Sequence, residues 1–364
     1  MLEVAFITDS PRVAGSEIWL LERLPRLPFL GLHPTLFLPK RPNLDGFAEV
    51  LEGKGVKIQR YASLREVLEA TASYSLRVFQ GWKETTYYLL FPRLAHPKVA
   101  VVHEQLDYRY PAGLRQTYHL LYRLGKGSAL KGADRVLTVS QWAARFLRGM
   151  GLEAEAVPNG VDPDRFRPPD PEERASLRKA YGLHRFTVLV PGRFAPEKNQ
   201  LAALFTAQRV PEVDFLFAGD DDSPLGALSR GLKGILGLGN VRFLGRREDM
   251  PELYRAADAV LLPTLGENQS LATLEAMASG LPVVTTPIPA QEELLQNGVT
   301  GLLVPPRPHL LAQALRTLAR DPHLAQGLGQ AARQKVLAHH TLEESIRRLA
   351  RALEEVRYPC ASTA

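Results

Sequence analysis

Two carboxylates eight residues apart, Glu267 and Glu275, lie in the stretch Thr264-Leu-Gly-Glu-Asn-Gln-Ser-Leu-Ala-Thr-Leu-Glu-Ala-Met-Ala-Ser-Gly-Leu-Pro-Val-Val-Thr-Thr286. The apolar run Ala259–Pro263 before them reads as a strand, and Pro282–Thr285 after them as a second. Between the two strands, a polar loop carries Glu267, Asn268, Gln269 and Ser270. It opens a helix that contains Glu275 and ends near Gly280. The first peptide N–H groups of a helix lack intrahelical partners, and the macrodipole makes the potential there positive. The junction therefore suits a phosphate, with a carboxylate on either side to accept sugar hydroxyls. An ordinary buried crossover with two incidental glutamates is the competing reading of this segment alone.

A second segment, Phe186-Thr-Val-Leu-Val-Pro-Gly-Arg-Phe-Ala-Pro-Glu-Lys-Asn-Gln200, reads as a strand, a turn at Gly192, then a helix. Arg193 and Lys198 fall in the loop and at the helix start. Cations there oppose the local dipole unless an anionic ligand is held. A diphosphate answers that conflict, with the arginine as a fork and the lysine as a point charge. A solvated loop with an Arg–Glu or Lys–Glu pair is the plain alternative. His103 ends the apolar run Val99-Ala-Val-Val-His103, and the carboxyl end of a parallel strand is where α/β proteins bind ligands.

Together these segments resemble the family 4 retaining glycosyltransferases, whose signature is a pair of glutamates with seven residues between them. The second segment is similar to that family's Gly-Arg-x-x-x-Glu-Lys motif. The resemblance implies an α/β protein of the GT-B fold, two Rossmann-like doubly wound domains facing across a cleft. It also implies a retaining, metal-independent hexosyltransferase that uses a nucleotide diphosphate sugar as donor and no cofactor. Arg193 and Lys198 would neutralise the donor diphosphate, Glu267 would take sugar hydroxyls and Glu275 the ribose. His103 would approach the anomeric carbon. Gly192, Asn268, Gln269 and Ser270 would line the donor, and Gly15, in Val13-Ala-Gly-Ser-Glu17, would face its phosphates. The usual glycines after the first glutamate are replaced by Asn268-Gln269-Ser270, which bears on donor identity. Val157-Pro-Asn-Gly-Val-Asp162 resembles the family's interdomain hinge and Thr300-Gly-Leu-Leu-Val-Pro305 a late strand of its second domain. A nucleotide-sugar epimerase or hydrolase of the same fold, and a catalytically silent nucleotide-sugar-binding protein, are the alternatives. A dinucleotide-dependent oxidoreductase lacks its Gly-x-Gly-x-x-Gly after the first strand.

These residues need a frame. Strand-like runs recur at Val4–Thr8, Thr35–Leu38, Val56–Gln59, Leu76–Gln80, Val99–Val102 and Val136–Val139, with amphipathic segments between several of them. After Asn159-Gly160 they restart at Thr187–Val190, Asp214–Ala218, Val241–Leu244, Ala259–Leu262, Val283–Thr285 and Leu302–Val304. Alternation of this kind predicts right-handed βαβ units and parallel sheets covered on both faces. The resemblance places the domains at 1–160 (acceptor side), 161–338 (donor side) and 339–364, the last a helix returning to the first domain plus a tail; spacing alone makes that helix amphipathic. His339-His340 reads as a helix terminus, and the resemblance makes Asp220-Asp-Asp222 a strand-to-loop junction with no catalytic metal expected.

The chain has 364 residues, 45% of them hydrophobic and 23% charged, enough for two ordinary globular cores. No apolar run approaches the roughly 20 residues a membrane helix needs. Residues 1–8 read as a strand rather than a signal peptide, and the single cysteine, Cys360, excludes an intrachain disulfide. A cytoplasmic protein is the simplest expectation. The net charge is +6, yet no compact nucleic-acid motif is present. The cations concentrate in Tyr108–Gly132, which includes Arg109, Arg115, Arg123, Lys126 and Lys131 and no acid. There, helical spacing puts Leu114, Tyr118, Leu121 and Tyr122 on an apolar face beside Arg115, His119, Arg123 and Lys126. A core-packed helix with a solvated face is the plain reading. The sharper one is peripheral docking to anionic lipid on the inner face of the membrane, or to a charged acceptor. The acceptor class stays open among a glycan, a lipid-linked sugar and a small metabolite.

Overall fold

The computed structural model describes residues 2–106 and 115–357. The chain divides into two compact units. One gathers the residues up to Leu106, Gln116–Pro158 and the segment from Glu343. The other holds Asn159–Leu342.

Seven parallel strands build the first unit: β1 (Leu2–Thr8), β2 (Leu32–Pro39), β3 (Lys57–Tyr61), β4 (Leu76–Gln80), β5 (Lys98–Val102), β6 (Arg135–Thr138) and β7 (Ala154–Ala156). Their order is β3-β2-β1-β4-β5-β6-β7. The chain starts in the middle, winds to one edge, returns and winds to the other, so β1 and β4 flank the switch point. Strands β4 and β5 are buried along their whole length, as sheets covered on both faces require. β7 escapes the sequence reading because it is three residues long and carries Glu155 at its centre.

The second unit repeats the design with β8 (Thr187–Pro191), β9 (Asp214–Ala218), β10 (Val241–Phe243), β11 (Ala259–Leu262), β12 (Val283–Thr285) and β13 (Leu302–Leu303). The order β10-β9-β8-β11-β12-β13 puts its switch point between β8 and β11. The period of two in a strand divides its core. Leu189, Leu216, Val260, Leu262 and Val283 pack with Tyr254, Leu274, Met277 and Val336. Their neighbours Val188, Val190, Phe215, Phe217, Leu261 and Val284 pack with Leu204, Ala207, Leu311 and Leu315.

The last described helix, Leu342–Arg357, belongs to the first unit from Glu343 onward. Ser345 Oγ donates to the Pro158 carbonyl at 2.6 Å and accepts from Arg23 at 2.9 Å, and Arg135 pairs with Glu355 at 3.0 Å. The Pro322–His339 helix ends at the histidine pair.

The helix Arg115–Leu124 corrects one expectation. Tyr122 is buried, and the His119 ring lies 4.7 Å from that of Phe146, so the histidine faces protein rather than joining a cationic stripe. Leu121 is 63% exposed, beside Leu120 and Leu124 on the solvent side. Leu114, Arg109 and Cys360 lie outside the described residues.

Candidate active site

Ligands bind doubly wound sheets at the carboxyl ends of the strands flanking the switch point. In the second unit the loops after β8 and β11 meet there. Lys198 Nζ is bonded to Glu267 Oε1. The Thr264 hydroxyl donates to the Glu197 carbonyl at 2.9 Å, and the Leu265 N–H donates to the same oxygen at 2.7 Å. Asn199, at φ 54°, sends its amide to the Pro263 carbonyl at 3.0 Å. One loop thus holds the other in place by backbone contacts.

The helix Leu271–Ala278 starts here. Ser270 is its N-cap, its Oγ accepting from the Thr273 N–H at 3.2 Å. Glu275 lies in the second turn, where its Oε2 accepts from the Tyr254 hydroxyl at 2.9 Å. Asn268, Gln269 and Ser270 are all buried. The Gln269 side-chain carbonyl accepts from the Asn159 N–H at 2.5 Å, fixing the Asn159-Gly160 turn against the loop. Its Nε2 is buried with no partner among the described residues. Gly192 has φ 126°, a conformation closed to other residues, and a Cβ on Gly219 would lie 2.1 Å from the Gly192 carbonyl oxygen. The turn beneath Arg193 therefore needs both glycines.

The expected clash of two bare cations with a helix dipole is resolved within the chain. Arg193 pairs with Glu197 at 2.5 Å and Lys198 with Glu267. Lys198 sits in the 3₁₀ turn Pro196–Lys198, ahead of the Gln200–Ala207 helix rather than in its first turn. The Arg193 side chain is 49% exposed, so its pair is worth about 0–1 kcal/mol and is readily exchanged for another anion. Asp221 of the aspartate run pairs with Arg230, and Asp220 Oδ1 accepts from the Asp222 N–H at 3.0 Å.

The switch point of the first unit is built differently. Asp9, just past β1, accepts from the N–H of Trp82 at 2.5 Å and of Lys83 at 3.0 Å, just past β4. Glu17 is fully buried; it accepts from the Ala14 N–H at 3.1 Å, the Ser16 hydroxyl at 2.9 Å and the Trp82 indole at 3.3 Å. Burial pushes its pKa up. His103, past the end of β5, meets Trp19 edge-on at 5.1 Å, and its Nε2 lies 3.2 Å from Gln80 Oε1. Gln80 Nε2 donates to the Ser16 carbonyl at 3.4 Å, which turns its oxygen toward the histidine and makes Nε2 the protonated ring nitrogen. Burial, with the Arg23 charge second, drives the imidazole pKa down to about 3. The ring is therefore neutral at ordinary pH. Gly15 is the exposed first residue of its helix, and a Cβ there would meet nothing within 4 Å.

Sequence reasoning passed over Glu197, Thr264, Tyr254 and Asn159 in the second unit, and Asp9, Glu17 and Gln80 in the first. Glu197, Thr264, Asn159 and Glu17 stood inside the quoted motifs without a role of their own, and Asp9 follows a strand directly. Tyr254 gave no signal, since an aromatic in a helix is most often core.

Comparison with known proteins bears on the family and the fold. Residues 13–165 match the family described as Glycosyltransferase Family 4, and residues 185–321 match Glycosyl transferases group 1. The GDP-mannose-dependent alpha-(1-6)-phosphatidylinositol monomannoside mannosyltransferase of Mycobacterium tuberculosis is 29% identical, over 93% of this chain and 94% of that protein. The UDP-Gal:alpha-D-GlcNAc-diphosphoundecaprenol alpha-1,3-galactosyltransferase of Escherichia coli is 28% identical over 56% of each. Among solved structures, Anabaena HepE in complex with UDP and glucose superimposes with a TM-score of 0.84 at 21% identity, covering 98% of this chain and 100% of that one. Sucrose-phosphate synthase from Thermosynechococcus elongatus follows at 0.81 and 22%, covering 99% and 100%. Fold and site thus define a GT-B glycosyltransferase. The chain belongs to glycosyltransferase family 4, group 1.

Proposed function

We propose that the protein transfers a hexosyl group from a nucleoside diphosphate sugar to an acceptor hydroxyl, with retention at the anomeric carbon and without a catalytic metal. The observation that carries this reading is the Lys198–Glu267 pair beside the Ser270 cap, with Glu275 on the same helix. The donor diphosphate replaces Glu267 as the partner of Lys198 and draws Arg193 from Glu197. The freed Glu267 accepts hydroxyls of the sugar, and Glu275 those of the ribose. As the bond from the anomeric carbon to the phosphate oxygen breaks, charge gathers on the diphosphate. Arg193, Lys198 and the N–H groups after Ser270 stabilise it. The acceptor oxygen bonds to the same face of that carbon, and its proton passes to the departing phosphate oxygen. No protein nucleophile is assigned.

The relatives named above use GDP-mannose and UDP-galactose, which supports a nucleoside diphosphate hexose as donor. Their lipid-linked acceptors support an acceptor of that kind. The exposed Leu120, Leu121 and Leu124 beside exposed Arg123 favour contact with an anionic membrane surface. No described helix is long and apolar enough to cross one. Liposome flotation tests the contact: retention on anionic but not neutral vesicles is expected, and equal behaviour on both removes it. For the reaction, a matched anomeric configuration in donor and product by proton NMR, unaffected by EDTA, is expected. An inverted product, or activity lost to EDTA and restored by a divalent ion, would contradict the proposal.

A further inference from the structure

One hydrogen bond on Glu275 comes from a residue wholly inside the core. Tyr254 lies on the helix Met250–Ala256, is 0% exposed, and packs edge-on to Phe166 at 5.8 Å. Its hydroxyl is 2.9 Å from Glu275 Oε2 and 3.4 Å from the Ala272 carbonyl oxygen. A phenol has one proton to donate, and the shorter contact, to a carboxylate, takes it. Burial, with the charge of Glu275 next, pushes the phenol pKa well above its usual value, so it stays a donor at any working pH.

We propose that Tyr254 is the positioning residue for ribose recognition: its hydroxyl fixes the Glu275 carboxylate in the orientation that accepts the sugar hydroxyls of the nucleotide. The proposal rests on the reading of Glu275 as the ribose acceptor. A glutamate on a half-buried helix face has several rotamers, and choosing among them costs binding free energy. A donor anchored in close-packed core makes that choice before the ligand arrives. Two ribose hydroxyls on one carboxylate demand a defined plane, so loss of the anchor is felt there and not at the phosphates.

The test is calorimetry with GDP and UDP and their 2′-deoxy and 3′-deoxy counterparts. The wild type is expected to prefer the ribonucleotides. Tyr254→Phe, which keeps the ring, is expected to bind them roughly tenfold more weakly, the effect of losing a hydrogen bond to a charged group. Its preference over the deoxy forms should collapse while its melting temperature stays close to wild type. Glu275→Ala should abolish the preference, and the double variant should lose nothing further. Preference retained in Tyr254→Phe but lost in Glu275→Ala overturns the positioning role alone. Preference retained in Glu275→Ala overturns the ribose reading and the proposal with it. If Tyr254→Phe fails to fold, 4-fluorophenylalanine at position 254 fills the space of the hydroxyl without a proton to donate. An unchanged preference then overturns the proposal.

Discussion

The two switch points use the same topology for opposite ends. In the second unit, charges meet charges: Lys198 with Glu267, Arg193 with Glu197, on loops whose backbones are already tied together. In the first, carboxylates meet backbone: Asp9 takes two N–H groups from the opposite loop, and Glu17 is enclosed by an N–H, a hydroxyl and an indole. A charge pair at a partly exposed site can trade partners at small cost, whereas two part-buried N–H groups that share one carboxylate lose a fixed acceptor together. In the proposed function, the arrangement of the second unit receives the ligand and that of the first unit holds a shape. Residue type alone does not separate them, because both place carboxylates at strand ends. The partner separates them.

That contrast can be broken at either end. Lys198→Ala is expected to lower kcat on the order of 10²-fold with little change in melting temperature, by analogy with losing a group that stabilises charge in the transition state. Steady-state kinetics beside a thermal melt would show it, and a variant that melts early at normal turnover reverses the assignment. Asp9→Ala is expected to do the opposite. Two orphaned N–H groups at about 1–3 kcal/mol each should appear as a lower urea midpoint. Gly219→Ala pushes a methyl against the Gly192 carbonyl and should cost ~1–3 kcal/mol by the same assay. A neutral result would mean the turn under Arg193 relaxes freely.

The smallest effect sharpens the account of the first unit. His103 has a folded pKa of about 3 against an ordinary value near 6.5. Between those values the unfolded chain binds a proton that the folded chain refuses. The contribution is therefore intact above pH 6.5 and is lost as the pH falls toward 3. His103→Asn should flatten the decline in stability between pH 7.5 and pH 5. An unchanged decline would show that the imidazole is solvated and titrates normally.

The sequence was most legible where periodicity and local spacing carry the information. Leu76–Gln80, Asp214–Ala218 and Ala259–Leu262 are apolar runs bounded by polar residues, and they are strands over those same limits. The loop–helix junction at Ser270 was legible for the same reason, since a cap is a local event. Partners distant in sequence were not. Nothing near Gln269 announces that it binds Asn159, and nothing in Tyr254 announces Glu275. The helix Arg115–Leu124 misled because spacing defines a stripe without saying which side the protein covers. Leu121 and Tyr122 are adjacent, and tertiary packing took the tyrosine.

The most direct measurement is the structure of the protein with a nucleoside diphosphate bound. The account predicts phosphate oxygens within hydrogen-bond distance of Lys198 Nζ and of the N–H groups after Ser270, with Glu267 released from the lysine. Phosphates seated elsewhere, with the Lys198–Glu267 pair intact, would contradict it.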